Sequence, residues 1–141
     1  MDPRCLDQMV APFYDEPGLE MSTLAFKIVR EKEITDPKDV KVTFDNCGYA
    51  LYFSRAAIPL ARDAGTRHDT FKHLGFYAYT RKFLEIYKKL DQGTLEAVEK
   101  LEQLRALEHG YRIKVVVTPY DSPEVDLPED IPRIEKLMRD Q

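Results

Sequence analysis

The sequence predicts an α/β fold. Residues 40–54 alternate as the two strands of a hairpin do, and strand-like and helix-like segments alternate along the second half of the chain. The apolar run of residues 115–117 is typical of a strand covered on both faces. Helices layered on a sheet are the usual arrangement for this pattern. The 141 residues are 43% hydrophobic and 33% charged, so we expect one domain or part of a larger one.

Charge and cysteine content exclude several classes of protein. The formal net charge is -4 and no local basic cluster is present, which argues against non-specific nucleic-acid binding. No apolar run approaches the roughly 20 residues that span a bilayer, and the opening residues lack the regions of a signal peptide. We therefore expect a cytoplasmic protein. Cys5 and Cys47 form no CxxC pair, so neither a disulfide framework nor a zinc site is predicted.

The first predicted elements are a helix and a strand. Asp2 before Pro3 is a good helix start, and apolar residues repeat at helical spacing as far as Phe13. This predicts a helix over residues 3–13. After the turn residues that follow it, alternation over residues 24–28 predicts a strand.

The clearest hairpin lies between residues 40 and 54. Its first strand ends near Asp45, the turn occupies residues 46–48, and an aromatic-rich strand returns from residue 49. Four side chains supply more apolar surface than a free ribbon should expose: Phe44, Tyr49, Leu51 and Phe53. The pattern predicts a homodimer contact through this hairpin. Residues 56–70 are predicted to form a loop beside it.

The second half alternates strand and helix. Residues 71–79 are predicted as a strand, and Thr80 as the cap of the helix that follows. Thr94 is predicted to cap another helix, whose leucines and valine recur at every third position up to Leu107. After a strand over residues 111–118, the start of the last helix is left open between Pro128 and Asp130.

Four segments, in this order, carry a resemblance to a known family: DVKVTFDNCGYALYFSRAAIP, FKHLGFYAYTRKFL, LEAVEKLEQLRALEHGYRIKVVVT and VDLPEDIPRIEKL. Together they cover most of residues 38–137, and they resemble the CMP-KDO synthetases. The resemblance implies a nucleotidyltransferase with a Rossmann-like mixed sheet. In this family the anomeric hydroxyl of the acid sugar KDO attacks the α-phosphate of CTP with Mg²⁺, forming CMP-KDO and pyrophosphate for lipopolysaccharide biosynthesis. The resemblance also implies a homodimer, with residues 38–57 as the dimerisation hairpin.

The family pattern is incomplete in this chain. A basic, Gly-containing nucleotide loop and a GDEP-like acidic motif are expected in the family, and Asp2-Pro3 resembles the residues just after that motif. We therefore expect residues 1–141 to be the C-terminal portion of one cytidylyltransferase domain, without the N-terminal CTP-binding half. Phosphoryl transfer depends on such charge-stabilising groups, so no catalytic residue is predicted. A non-catalytic dimerisation or sugar-binding fragment is the alternative.

One face of the strand 71–79 is a candidate sugar site. Side chains alternate along a strand, so four residues share this face: His73, Gly75, Tyr77 and Tyr79. Gly75 leaves a gap between an imidazole and a phenol that suits a hydroxyl-rich ligand. The resemblance implies that His73 and Tyr77 bind the sugar. The alternative is a half-exposed sheet face with no ligand.

Three further residues are predicted to bind substrate. Arg55 can hold a sugar carboxylate in a bidentate fork, and the alternative is a surface arginine paired with an acidic neighbour. Glu102 and Gln103 lie in a helix whose apolar stripe wraps widely, so a polar partner is expected for at least one of them. The resemblance implies contacts with sugar hydroxyls. The alternative is a pair of exposed helix residues.

Asp126 is the candidate magnesium ligand. The resemblance implies this role, because Asp126 matches the aspartate of the family's VDTPED ending. Mg²⁺ is usually bound by few carboxylates together with substrate phosphates. Two neighbours depart from the family, Leu127 in place of a threonine and Glu124 in place of a glycine. The alternative is that Asp126 caps the last helix.

Overall fold

The computed structural model describes residues 2–122 and 130–139. Twelve elements follow one another in that part of the chain: α1 (Arg4–Val10), α2 (Pro12–Asp15), β1 (Met21–Lys27), α3 (Glu31–Thr35), β2 (Lys41–Phe44), β3 (Ala50–Ser54), β4 (Phe71–Tyr79), α4 (Arg81–Tyr87), α5 (Thr94–Glu99), α6 (Leu104–Glu108), β5 (Lys114–Thr118) and α7 (Asp130–Arg139). No helix in these ranges is long and apolar enough to cross a membrane.

The sheet has five strands in the order β3-β2-β4-β1-β5. β1 is antiparallel to β4 and parallel to β5, while β2 is antiparallel to both of its neighbours. Mixed pairing of this kind confirms the predicted α/β class. β4 is the central strand, and the hairpin pairs with its first residues, Phe71 and Lys72.

The tip of the β2–β3 hairpin closes against β5. The Ala50 amide donates to the Ile113 carbonyl at 2.9 Å, and the Val115 amide donates to the Gly48 carbonyl at 2.8 Å. Gly48 has a φ of 80°, which a residue with a side chain seldom adopts. These bonds bend the sheet round one core, whose fully buried members include Met21, Phe53, Phe83, Leu104 and Ile113.

The apolar surface of the hairpin mostly faces this core. Phe53 is fully buried, and the Phe44 ring lies 4.9 Å from the Phe71 ring. Only Leu51, 64% exposed, remains open among the four residues on which the homodimer contact was predicted. The exposed apolar surface on which the prediction was based is therefore mostly absent. The hairpin packs against the core of its own chain, a tertiary contact that the sequence pattern does not reveal.

The N-terminal helix is divided in two. α1 ends at Val10 and α2 begins at Pro12, so the single helix predicted over residues 3–13 is not observed. Cys5 and Met9 are buried on the other face of the sheet, in a small cluster with Leu24 and Leu74. Strands β1 and β4 therefore have apolar cover on both faces.

The helix predicted from Thr94 to Leu107 is broken. Lys100 ends α5 with φ 56° and ψ 45°, the left-handed conformation, and α6 begins only at Leu104. An apolar stripe that recurs at every third residue drifts round a straight helix, so one face cannot bury all of it. The break lets Leu101 and Leu104 enter the same core.

The cap of α5 also differs from the prediction. Thr94 makes no capping hydrogen bond; the Glu108 carboxylate accepts from the amides of Leu95 at 2.8 Å and Glu96 at 3.1 Å. A Cβ at Gly93 would lie 2.0 Å from that carboxylate, so a side chain there would require the Glu108 carboxylate to move. The carboxylate of α6 thus satisfies the first turn of α5 and holds the two short helices together.

Candidate substrate cleft

A cleft of about 570 Å³ opens beside the middle of β4. Its other walls come from α3 with the loop after it, the break between α5 and α6, and residues 121–122. The lining includes four of the residues predicted for a sugar site: His73, Tyr77, Glu102 and Gln103. The structure therefore brings these four together from separate parts of the chain.

His73 is held in one tautomer. The Thr23 hydroxyl donates to the Phe76 carbonyl at 2.6 Å, which uses its only proton. The His73 Nε2 atom lies 2.8 Å from the same hydroxyl oxygen and must therefore donate to it. Burial lowers the pKa of His73 to about 3. The imidazole is neutral, with its proton on Nε2 and an acceptor lone pair on Nδ1.

The predicted face of β4 is formed by aromatic rings. The centroids of His73 and Tyr77 lie 5.3 Å apart, and those of Tyr77 and Tyr79 lie 6.0 Å apart. Gly75, between the first two, also lines the cleft and has a φ of 67°. The pairing of β1 with β4 shifts register at this point. A bulge with glycine in it opens the sheet surface where the sequence predicts a gap.

Gln103 carries an unpaired donor. The residue is 3% exposed, yet its Nε2 has no hydrogen-bond partner among the described residues. Burying an amide donor without a partner is costly, and such groups in a cleft wall are available to a ligand. Glu102 beside it is exposed, with its backbone carbonyl accepting from the Tyr87 hydroxyl at 2.7 Å. Neither residue is helical, contrary to the prediction.

Lys72 and its carboxylates are part of the lining that sequence reasoning missed. The Lys72 ammonium lies 2.9 Å from Asp121, 3.3 Å from Glu33 and 3.9 Å from Asp39. Burial alone would lower the pKa of Lys72, but the hydrogen bond and charge of Asp121, with the other carboxylates, raise it. Lys72 and Asp121 are far in sequence from Glu33 and Asp39, so no sequence motif marks the group. The ion pairs of the Lys72 ammonium join β4, the segment of α3 with the loop after it, and residues 121–122.

Arg55 does not line the cleft. Its Nε donates to the Glu99 carbonyl and its guanidinium to the Pro37 carbonyl, each at 3.0 Å. Its backbone amide donates to the Glu99 carboxylate, which also accepts from Ser54 at 2.6 Å. The guanidinium joins the end of α5 to the loop after α3, behind the cleft rim. Two of its five guanidinium N–H groups are used within the fold, and the structure does not place Arg55 in the lining shared by the other four predicted residues.

The described residues contain no cluster of three or more metal-binding side chains. The carboxylates nearest to one another in the cleft surround the Lys72 ammonium, which occupies the place a cation would take. They do not fit a magnesium site. Asp126, Glu124 and Leu127 lie outside the described residues.

The cleft suits a polar ligand with several hydroxyl groups. The neutral imidazole offers an acceptor, the Gln103 amide offers donors, and the Tyr77 ring offers an apolar face. Charged side chains of both signs surround these groups.

Comparison with known proteins identifies the family. The sequence profile described as "Cytidylyltransferase" matches residues 1–114, most of the chain. The chain belongs to this cytidylyltransferase family. A 3-deoxy-manno-octulosonate cytidylyltransferase of Desulfosudis oleivorans is 64% identical over 136 residues, which are 96% of this chain and 55% of the relative. An 8-amino-3,8-dideoxy-manno-octulosonate cytidylyltransferase of Shewanella amazonensis is 53% identical over 99% of this chain and 57% of the relative.

A solved structure has the same fold. CMP:2-keto-3-deoxy-manno-octonic acid synthetase, complexed with CTP, superposes with a TM-score of 0.92 at 34% identity, covering 99% of this chain and 57% of that chain. The mixed sheet of this cytidylyltransferase chain is therefore the one expected from the resemblance to CMP-KDO synthetases. The neighbour binds the nucleotide named in its description.

The chain spans about half the length of the curated relatives it matches. The comparisons support the family but not the more specific prediction that the chain is the C-terminal portion of its domain, so that assignment is withdrawn. The matched segments show that the chain belongs to the family. They do not show which part of the domain the chain represents.

Proposed function

We propose that the protein to which this chain belongs is a cytoplasmic enzyme of lipopolysaccharide biosynthesis that transfers the cytidylyl group of CTP to KDO. The anomeric oxygen of the sugar forms a bond to the α-phosphorus of CTP, and pyrophosphate leaves, giving CMP-KDO. This chain supplies the pocket for the acid sugar. The observation that carries the proposal is the buried Gln103 Nε2, which has no partner among the described residues and lies in a cleft with His73 and Tyr77.

Each lining residue has a distinct part in holding the sugar. The Nδ1 of His73 accepts from a hydroxyl, because Nε2 is committed to Thr23. The Gln103 amide donates to a sugar oxygen and thereby satisfies its Nε2. Tyr77 packs against the apolar face of the ring, and the exposed Glu102 accepts from a hydroxyl at the mouth. A neutral acceptor and a neutral donor orient a sugar without requiring a charged partner.

The magnesium part of the proposal rests on Asp126 alone. The support is the VDLPED ending, in which this aspartate matches the family motif. When bound, Mg²⁺ would neutralise charge on the triphosphate. The carboxylates of the described cleft are held by Lys72, so we assign them no metal.

We also propose that two copies associate through residues 38–57. The support is that β3 is an edge strand of the sheet and that Leu51 is exposed on it. An edge strand presents unpaired backbone groups that a second copy can use.

A second candidate is a chain that binds the sugar or dimerises without turnover. The observation in its favour is that the chain spans about half the length of its curated relatives. Nucleotidyl transfer depends on positioned charge around the phosphates, and a half-length chain need not provide all of it.

Pyrophosphate release separates the two candidates. The purified chain is mixed with CTP, KDO and Mg²⁺, and KDO binding is measured in parallel by calorimetry. Release that requires both substrates supports the transferase, and its reduction in the Asp126→Asn variant supports the metal assignment. KDO binding without release supports the second candidate. A chain that does not bind KDO would contradict the sugar pocket assigned to it, and one that also fails to dimerise would contradict the second candidate.

A further inference from the structure

Lys100 has a backbone conformation that lysine rarely adopts. With φ 56°, it is the only residue other than glycine with a positive φ in the part of the chain that the structure describes. The left-handed region brings Cβ close to a backbone oxygen, so helix ends of this type usually carry glycine or asparagine. At Gly48 and Gly110 the chain does use glycine for a positive φ. The lysine at this position therefore needs an explanation beyond ending α5.

The Lys100 side chain lies at the cleft. It is exposed, lines the cleft, and makes no ion pair with the described residues. It begins the four-residue break that ends with Gln103, so the ammonium and the unpaired amide belong to one short segment.

Two of the other four cations in the described cleft lining are already paired. Lys72 is held by three carboxylates, and Arg30 pairs with Glu33 at 2.5 Å. The Arg55 guanidinium donates to two backbone carbonyls outside the cleft. Lys32 and Lys38 also line the cleft without an ion pair to the described residues, but they have ordinary backbone conformations and belong to a different wall, in α3 and the loop after it.

We propose that Lys100 binds the carboxylate of the acid sugar and so determines that the cleft takes a sugar acid rather than a neutral sugar. The inference rests on the proposed function and adds to it the residue that binds the negatively charged group of the substrate. Lys100 lines the cleft in the same four-residue segment as Gln103, so its ammonium would bind the carboxylate while Gln103 and His73 bind the hydroxyl-bearing part. A strained residue at a binding site is expected where function requires its side chain.

Replacement by glycine separates this role from that of a helix cap. Lys100→Gly keeps the left-handed conformation without its steric cost, so the midpoint of thermal unfolding should rise by about 3 °C. The affinity for KDO should nevertheless fall about tenfold, the effect of losing one charge-assisted contact. Lys100→Arg keeps the charge and should retain most of the affinity.

The probes are KDO and its methyl ester, titrated by calorimetry into the wild type, Lys100→Gly, Lys100→Arg and the control Lys38→Gly. The wild type should prefer the acid to the ester by about tenfold, and Lys100→Gly should lose that preference while Lys38→Gly keeps it. If the wild type prefers the acid and Lys100→Gly does so equally, this inference is overturned and the proposed function stands. If the wild type binds neither probe, the sugar pocket itself is wrong, and the inference is overturned with it.

Discussion

His73 and Thr23 are joined by a hydrogen bond of 2.8 Å between the imidazole Nε2 and the threonine hydroxyl. Because that hydroxyl donates to the Phe76 carbonyl, the bond fixes both the proton and the orientation of the imidazole. Thr23 lies in β1 and His73 in β4, and the pairing of these two strands shifts register near Gly75. Thr23 therefore determines that the Nδ1 atom of His73 is the hydrogen-bond acceptor.

Thr23→Val tests this control. The isosteric side chain leaves the Nε2–H of His73 and the Phe76 carbonyl without a partner, which should destabilise the fold by about 1–3 kcal/mol. KDO affinity should fall as the imidazole loses its fixed tautomer. Thr23→Ser keeps the hydroxyl and should behave as the wild type in denaturant unfolding and in titration. Equal KDO affinity for the valine and serine variants would show that the hydroxyl does not position His73.

The pH dependence of stability should report the burial of His73. Its pKa is about 3 in the folded chain, whereas the ordinary value is 6.5. The unfolded state therefore binds more protons between these values, so this contribution to stability is complete above pH 6.5 and is lost as pH falls towards 3. His73→Gln keeps a donor without a titrating group.

Urea unfolding at a series of pH values compares the two proteins. The wild type should lose more stability than His73→Gln between pH 6.5 and pH 4. Parallel curves would mean that the imidazole is not buried in its neutral form.

Removal of the Lys72 charge should be strongly destabilising. In Lys72→Met the carboxylates of Glu33, Asp39 and Asp121 lose their shared cation in a largely buried place, at a cost of about 3 kcal/mol. The control is Lys88→Met, which removes the exposed i,i+3 pair with Glu85 and should cost less than about 1 kcal/mol. Equal unfolding free energies for the two variants would contradict the role assigned to Lys72.

A charge at Leu51 should weaken association if two copies meet through β3. Leu51 is 64% exposed in the single chain, so the fold of Leu51→Asp should be intact by circular dichroism. Sedimentation at tens of micromolar should show a dimer for the wild type and a larger monomer fraction for the variant. A monomeric wild type would remove the proposal for residues 38–57.

Local signals predicted some elements well. The alternation of residues 71–79 gave the bounds of β4, and the Thr80 hydroxyl does accept from the Phe83 amide at 3.1 Å. These features depend on neighbours in sequence. The break at Lys100 was missed because it arises from burial of a drifting apolar stripe, and lysine carries no signal for a left-handed backbone. The capping of α5 by Glu108 is likewise a tertiary contact.

The site was predictable only in part. His73 and Tyr77 share a strand face, which periodicity can show, and the resemblance added Glu102 and Gln103. The position of Arg55 outside the cleft lining was not predictable, because it depends on contacts with Pro37 and Glu99 that form only after folding. The surroundings of Lys72 were missed for the same reason.

Titration of KDO into the wild type and Gln103→Leu tests the central claim most directly. Leucine removes a buried Nε2 donor that has no partner among the described residues, so the variant should be at least as stable as the wild type, whereas its KDO affinity should fall about tenfold. Gln8→Leu is the matched control, since Gln8 also has an unpaired side-chain atom and does not line the cleft. We expect KDO binding by the wild type and Gln8→Leu, and weakened binding by a fully folded Gln103→Leu. A wild type that does not bind KDO, or a Gln103→Leu variant that binds it equally well, would contradict the account.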